Sequence, residues 1–188
     1  MIGGFYMKLI LLLAEGFEEI EALTVADVLR RAGLTCHLCA IGEEEIVKGA
    51  HNICVKSDVN VENIKIHNYE GIILPGGMPG AANLKDDYRV IDILQKFNAE
   101  GKIIGAICAA PIVLNEAGII KNVKITSYPS FKEEFNNSIY TEEKVVQHDN
   151  IITSRGPATA FDFAYKVLEN FITTKEIDKL KNEMLFNF

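Results

Sequence analysis

The sequence has little positive charge, because 19 Lys and Arg residues stand against 26 Asp and Glu residues, a net charge of −7. Since nucleic-acid binding usually relies on a basic patch, we expect no nucleic-acid partner. A long hydrophobic run is also missing. The apolar run near the start, 9–14, is far shorter than the roughly 20 residues that cross a bilayer. The acidic segment 15–19 follows it, where a signal peptide would have small residues. We therefore expect no membrane association and a cytoplasmic location.

Cysteine is sparse, with four residues in 188. In the cytoplasm such cysteines are expected to stay reduced. Cys36 and Cys39 have the spacing of a metal-binding pair. They lie in a predicted strand, however, where residues three apart face opposite sides, and no second pair of similar spacing exists. We therefore expect no metal, and no cofactor.

The length of 188 residues suits one domain, since domains average roughly 150 residues. Hydrophobic residues make up 48% and charged residues 24%, which is ordinary for a globular protein. The first predicted strand begins near Met7. Residues 1–6 are thus expected to be an N-terminal extension to a single α/β domain.

Short apolar runs alternate with amphipathic stretches along the chain. This alternation predicts a doubly wound α/β fold, with a mostly parallel sheet covered by helices on both faces. Residues 47–61 suggest short strands or a hairpin. Two strands flank a turn at 148–149. The other predicted strands are 8–14, 34–41, 70–74, 102–107 and 123–127, and the predicted helices are 18–32, 88–100, 109–117, 158–171 and 175–185.

Cys108 stands between a predicted strand and a predicted helix, and small residues, Ala106 and Ala110, lie two positions to either side. This spacing is typical of a nucleophile elbow, where bulky neighbours would collide in the tight turn. The start of a helix would also stabilise a thiolate there. The alternative is a buried structural cysteine.

Two further segments follow predicted strands. Gly76 and Gly77 could direct backbone N–H groups at a ligand and, with the N–H of Ala109, form an oxyanion hole; the alternative is an ordinary turn. Glu21 lies at the edge of the apolar stripe of the first helix. Burial there would raise its pKa and let it act as an acid or base. Alternatively, this glutamate and its acidic neighbours merely complement the helix dipole.

Four segments in this order resemble the ThiJ/PfpI superfamily, also called the DJ-one superfamily. The resemblance implies a flavodoxin-like three-layer sandwich of the class I glutamine-amidotransferase-like group, usually homodimeric. It implies that Cys108 is an oxidisable nucleophile and that Glu21 is the acid that hydrogen-bonds its sulfur. Gly77 and Ala109 correspond to the backbone donors. The segments are Ala14-Glu15-Gly16-Phe17-Glu18-Glu19-Ile20-Glu21, Leu74-Pro75-Gly76-Gly77, Ala106-Ile107-Cys108-Ala109-Ala110-Pro111 and Thr153-Ser154-Arg155-Gly156-Pro157-Ala158-Thr159.

Three positions qualify this resemblance. Tyr128 stands where many family members have a histidine, which argues against a protease-like Cys–His pair, although a tyrosine can still donate a hydrogen bond to an oxyanion. His51 lies on a segment where relatives bring a basic residue to the site; otherwise it is a surface residue. Arg155 belongs to the loop after the last core strand, which suits either binding or a structural turn.

The resemblance implies a cysteine-nucleophile enzyme that converts a small aldehyde such as methylglyoxal or glyoxal, or a glycated substrate, into a hydroxy acid. The alternative is a redox-sensing stress protein or chaperone that uses oxidation of Cys108. A peptidase and a thiazole monophosphate protein of the thiamine pathway rank below both.

Overall fold

Seven strands form the central sheet in a computed structural model that describes residues 7–186. Their order is β10-β11-β7-β6-β1-β2-β5, and every neighbouring pair is parallel except β10 with β11. The predicted doubly wound, mostly parallel sheet is therefore confirmed. The strands are β1 (Lys8–Leu13), β2 (Thr35–Ala40), β5 (Val59–Asn60), β6 (Gly71–Leu74), β7 (Ile103–Ile107), β10 (Val145–His148) and β11 (Ile151–Ser154).

Helices cover both faces of this sheet, because the side chains of a buried strand alternate between two cores. In β1, Leu9 and Leu11 pack with α1, α5 and α6, whereas Ile10 and Leu12 pack with α2, α3 and α4. The helices are α1 (Glu19–Arg31), α2 (Gly80–Asp86), α3 (Tyr88–Ala99), α4 (Pro111–Glu116), α5 (Ala160–Leu168) and α6 (Thr174–Glu183).

Two small sheets lie outside the main one. β3 (Ile46–Lys48) and β4 (Cys54–Lys56) form the expected hairpin. The predicted strand 123–127 is wrong in extent and place. Only β8 (Lys124–Ile125) is extended there, and it pairs with β9 (Ile139–Tyr140) rather than with the central sheet.

Two helices also differ from expectation. α2 was not predicted, because it has only seven residues and the glycine-rich segment at its start is typical of a loop. α4 begins at Pro111 rather than at 109, since proline favours the first position of a helix and residues 108–110 form a turn. The predicted extension at 1–6 lies outside the described residues.

The chain changes direction across the sheet at β1. From β1 it proceeds to β2 and β5 on one side, and it then crosses back to β6, β7 and β11 on the other. Ligands of such sheets bind at the carboxyl ends of the strands beside this switch point. The segments after β1, β6 and β7 therefore converge at one crevice. Within residues 7–186, no helix has both the length and the apolar character that a membrane crossing requires.

Candidate active site

Cys108 occupies a strained turn directly after β7. Its φ of +64° lies in the left-handed region that residues other than glycine rarely adopt. Two backbone hydrogen bonds hold it there. Its N–H donates to the carbonyl of Ser154 at 2.9 Å, and its carbonyl accepts from the N–H of Tyr128 at 2.8 Å. The strand, strained turn and following helix have the arrangement of a nucleophile elbow.

Glu21 is fully buried in α1, where the sequence suggested partial burial. Its Oε2 accepts a 2.7 Å hydrogen bond from the N–H of Gly76. Among residues 7–186, its buried Oε1 has no partner at ordinary hydrogen-bond distance. The thiol of Cys108 interacts with the same carboxyl group. The fully buried acid and the partly exposed thiol thus form one pair.

The protonation of this pair follows from its burial. Burial raises the pKa of Glu21 to about 7, and this effect outweighs the hydrogen bond from Gly76 that favours the ionised form. Burial also raises the pKa of the Cys108 thiol, and the charge and hydrogen bonding of Glu21 raise it further. The helix expected directly after Cys108 begins only at Pro111 and has six residues, and its stabilisation of a thiolate stays a prediction. A reactive thiolate here requires that Glu21 take up the proton.

Gly76, Gly77 and Ala109 lie directly against this pair. A Cβ atom at Gly76 would stand 2.7 Å from the Cβ of Cys108, so only glycine fits. Gly77 has a φ of +85° and packs against the backbone of Gly16. The N–H groups of Ala109 and Gly77 both act to lower the pKa of the Cys108 thiol. Both N–H groups thus favour negative charge at the sulfur, and their role as an oxyanion hole stays a prediction.

Tyr128 and Arg155 lie beside the elbow rather than within it. The Tyr128 side chain is about half exposed, and its ring lies 3.5 Å from where a Cβ of Gly156 would stand. Arg155 donates a 2.9 Å hydrogen bond to the carbonyl of Glu142. The arginine therefore ties its own loop to the segment before β10.

His51 is exposed and lies in the turn between β3 and β4. Its Nδ1 is 2.8 Å from Oε2 of Glu19 and 3.6 Å from Oε2 of Glu18, so its partners are at the start of α1. From the sequence, both glutamates are expected only to complement the helix dipole. Glu19 is in fact 4% exposed and bonded to the turn, and no local pattern signals that contact.

Metal-binding groups are limited in the part of the chain that the structure describes. Glu18, Glu19 and His51 offer ligand atoms within 4.8 Å of one another. Oxygens of Glu19 and the His51 Nδ1 already bond to each other, so we assign no metal there. Burial raises the pKa values of Cys36 and Cys39 to about 12, which disfavours the thiolate form that binds metals.

Comparison with known proteins decides the family, because residues 7–170 match the model of the DJ-1/PfpI family. The chain belongs to the DJ-1/PfpI family. The crystal structure of DJ-1beta from Drosophila melanogaster superimposes with a TM-score of 0.94 at 33% identity, covering 98% of this chain and 100% of that chain. Oxidised DJ-1 from Toxoplasma gondii superimposes with a TM-score of 0.92 at 34% identity, covering 97% and 100%.

Another member of the DJ-1/PfpI family, from Caenorhabditis elegans, is named glutathione-independent glyoxalase DJR-1.2. It is 39% identical to this chain over 163 residues, which is 86% of each protein. The family thus includes a glyoxalase as well as proteins named only as DJ-1 homologues.

Proposed function

We propose that this chain converts small reactive oxoaldehydes, such as methylglyoxal, into hydroxy acids with Cys108 as the nucleophile. The observation that carries the proposal is the pair of Cys108 and Glu21, in which burial raises the pKa of Glu21 to about 7. A group with such a pKa can both accept and return a proton near neutral pH. The name of the C. elegans relative supports the same chemistry.

In the first step the Cys108 thiol is deprotonated and attacks the aldehyde. Glu21 accepts the thiol proton as Sγ of Cys108 attacks the aldehyde carbon, which forms a C–S bond and leaves negative charge on the former carbonyl oxygen. The N–H groups of Gly77 and Ala109, which lower the pKa of the thiol, would donate to this oxygen. Glu21 then returns the proton, giving a hemithioacetal.

The second step moves a proton between carbons. Glu21 removes the proton from the carbon that bears sulfur and delivers it to the neighbouring ketone carbon, through an enediol. The ketone becomes a hydroxyl group and the sulfur-bearing carbon becomes a thioester carbonyl. Water then attacks the thioester, which releases the hydroxy acid and restores the thiol. The net reaction adds one water to the oxoaldehyde.

The decisive experiment measures methylglyoxal consumption and lactate formation by the wild type, Cys108→Ser and Glu21→Gln. Cys54→Ser is the matched control, since Cys54 is an exposed thiol on β4. We expect turnover in the wild type and the control, and its loss in Cys108→Ser. A fall of about 10²- to 10⁴-fold in kcat is expected for Glu21→Gln, the usual range for loss of acid–base catalysis. Turnover that persists in Cys108→Ser would refute the mechanism.

A redox role is the second candidate, because the Toxoplasma relative was crystallised in an oxidised form. Cys108 is partly exposed, so peroxide can reach it, and a protonated Glu21 could donate a hydrogen bond to a sulfinate. Stoichiometric oxidation of Cys108 without turnover of any oxoaldehyde would favour this role. Mass spectrometry of the peptide that contains Cys108 distinguishes the two outcomes.

A homodimer forms part of the proposal. Four large apolar side chains are exposed on α1 and on or beside the β3–β4 hairpin: Ile20, Leu23, Ile46 and Ile53. We call this set the apolar face. Since exposed apolar side chains gain from burial at an interface, a second copy of the chain is the partner that we propose for them.

A further inference from the structure

The turn between β3 and β4 is bonded to the start of α1 through one buried carboxylate. Glu19 accepts hydrogen bonds from the backbone N–H of His51 at 2.7 Å, from its Nδ1 at 2.8 Å and from the N–H of Ile53 at 3.4 Å. Gly49 leaves the space that the carboxylate fills, because a Cβ there would overlap the Glu19 side chain. Because its oxygens accept these hydrogen bonds, the Glu19 carboxylate fixes the turn between β3 and β4 to the start of α1.

The attachment continues to the proposed oxyanion hole. The N–H of Gly16 donates to Lys48 at 2.8 Å, and the N–H of Ala50 donates to Phe17 at 2.9 Å. The N–H of Glu18 then donates to the carbonyl of Gly76 at 2.9 Å. An unbroken series of hydrogen bonds thus joins the hairpin turn, the loop after β1 and the backbone beside Cys108.

Charged side chains lie along the same series of hydrogen bonds. The Glu18 side chain is only 11% exposed, and its Oε2 is 3.6 Å from His51 Nδ1. The hydrogen bond to Glu19 and the charges of both glutamates raise the pKa of His51. On the other side, the negative charge of Glu18 adds to burial in raising the pKa of Glu21. Glu18 therefore stands between the imidazole ring of His51 and the candidate catalytic acid.

We propose that His51 and Glu19 form a charged clamp that positions the Glu18–Gly76 contact and offsets the charge of Glu18 beside Glu21. The clamp residues are positioning residues, because none of them touches the sulfur. This inference rests on the proposed function only in taking Cys108 and Glu21 as the reacting pair. The groups that face His51 are Glu18 and Glu19, and those that face Glu21 are Glu18 and Cys108.

The first test follows alkylation of Cys108 by iodoacetamide between pH 5 and 9, quantified on its own peptide so that Cys54 does not interfere. In His51→Gln the charge of Glu18 is no longer offset. The midpoint of the alkylation profile should then rise by about 0.5 pH unit. In Glu18→Gln the same midpoint should fall, because a like charge beside Glu21 is removed. His67→Gln, which removes an exposed histidine elsewhere, should leave it unchanged.

The second test is a double-mutant cycle on turnover. His51→Gln and Glu19→Gln should each lower kcat about two- to tenfold with little change in KM, since misplaced groups impair the chemical step more than binding. The double variant should be no worse than the more impaired single variant, because the two residues act as one unit. Thermal melting confirms that each variant is folded. Should Glu19→Gln not fold, two variants still test the clamp: His51→Gln, which changes an exposed residue, and Glu18→Gln, which is isosteric.

The outcomes separate the two proposals. Absence of turnover in the wild type would refute the proposed function, whereas opposite shifts of the alkylation midpoint would still support the clamp. Identical alkylation profiles in His51→Gln, Glu18→Gln and the wild type would overturn the clamp, even with full catalytic activity. Additive losses in the cycle would likewise show that His51 and Glu19 act independently.

Discussion

Glu21 and Gly76 are joined by a 2.7 Å hydrogen bond across 55 residues of sequence, and that bond sets α1 against the carboxyl end of β6. The bond favours the ionised carboxylate, whereas complete burial favours the protonated acid. Burial is the larger effect, so the pKa of Glu21 is raised to about 7. The N–H of Gly76 thus holds the carboxyl group of Glu21 in place, but it offsets only part of the free-energy cost of burying the negative charge.

This cost predicts that Glu21→Gln stabilises the protein. The pKa rises from an ordinary 4.5 to about 7 on folding, so the native state retains a proton that the unfolded state has lost. Stability is therefore lost as pH rises from 4.5 to about 7, and the loss is constant above that. Glutamine can keep the hydrogen bond from Gly76 without this penalty.

We expect Glu21→Gln to be more stable than the wild type by about 3 kcal/mol at pH 7.5 and equal to it below about pH 4.5. Urea denaturation at pH 4.5 and 7.5 measures the difference. A variant that is less stable at both values would show that the charge of Glu21 is needed for folding.

Gly76→Ala should lower turnover sharply. The added Cβ would stand 2.7 Å from the Cβ of Cys108 and 2.9 Å from Oε2 of Glu21, so the reacting pair must separate. We expect a loss of stability of about 1–3 kcal/mol, as for other overpacked sites, together with a fall in kcat of about 10²-fold. Gly42→Ala is the control, because open space surrounds that position. Equal kcat values for the two variants would contradict this geometry.

Charge placed on the apolar face should weaken the proposed dimer. Leu23→Lys alters the face on α1, and Ile46→Lys alters it on the hairpin. Each is expected to raise the dimer dissociation constant about 10- to 100-fold, the range for truncated interface anchors. Sedimentation velocity measures the effect. Tyr88→Lys, at an 80% exposed site elsewhere, should leave the dissociation constant unchanged.

Thr126 and Thr153 are both fully buried, but their hydroxyl groups differ. Thr153 Oγ1 accepts a 2.9 Å hydrogen bond from the N–H of Thr126. The Oγ1 of Thr126 has no partner among residues 7–186. Thr153→Val should therefore cost about 1–3 kcal/mol, whereas Thr126→Val should be neutral or stabilising. Chemical denaturation of both variants tests this, and equal losses would point to an undetected partner of Thr126.

Most of the fold follows from local pattern. The apolar run that becomes β1 and the helical spacing of Ala22, Val25 and Leu29 each predict an element that the structure contains. The elbow at Cys108 was also predictable from local pattern, because the small residues that it needs, Ala106 and Ala110, lie within two positions of the cysteine. The pairing of β8 was not, since a run of two extended residues carries no signal of its partner.

The site was less predictable where it depends on distant contacts. Complete burial of Glu21 involves the segments after β6 and β7, where Gly76 and Cys108 lie against its side chain, and the helix alone does not reveal this. Glu19 and Glu21 lie two residues apart, so a sequence pattern treats them alike. Tertiary structure separates them, because one is bonded to the turn at His51 and the other to Gly76.

The hydrogen bond from Cys108 to Ser154 has a consequence for the order in which the protein is made. Ser154 ends the last strand of the sheet, 46 positions nearer the C-terminus than Cys108. A ribosome must therefore synthesise most of the chain before the acceptor for that N–H exists. Until then the thiol belongs to an unstrained nascent segment, and its chemistry is that of a free cysteine. The strained turn at Cys108 and its pairing with Glu21 thus arise late, when almost the whole protein has emerged and can fold.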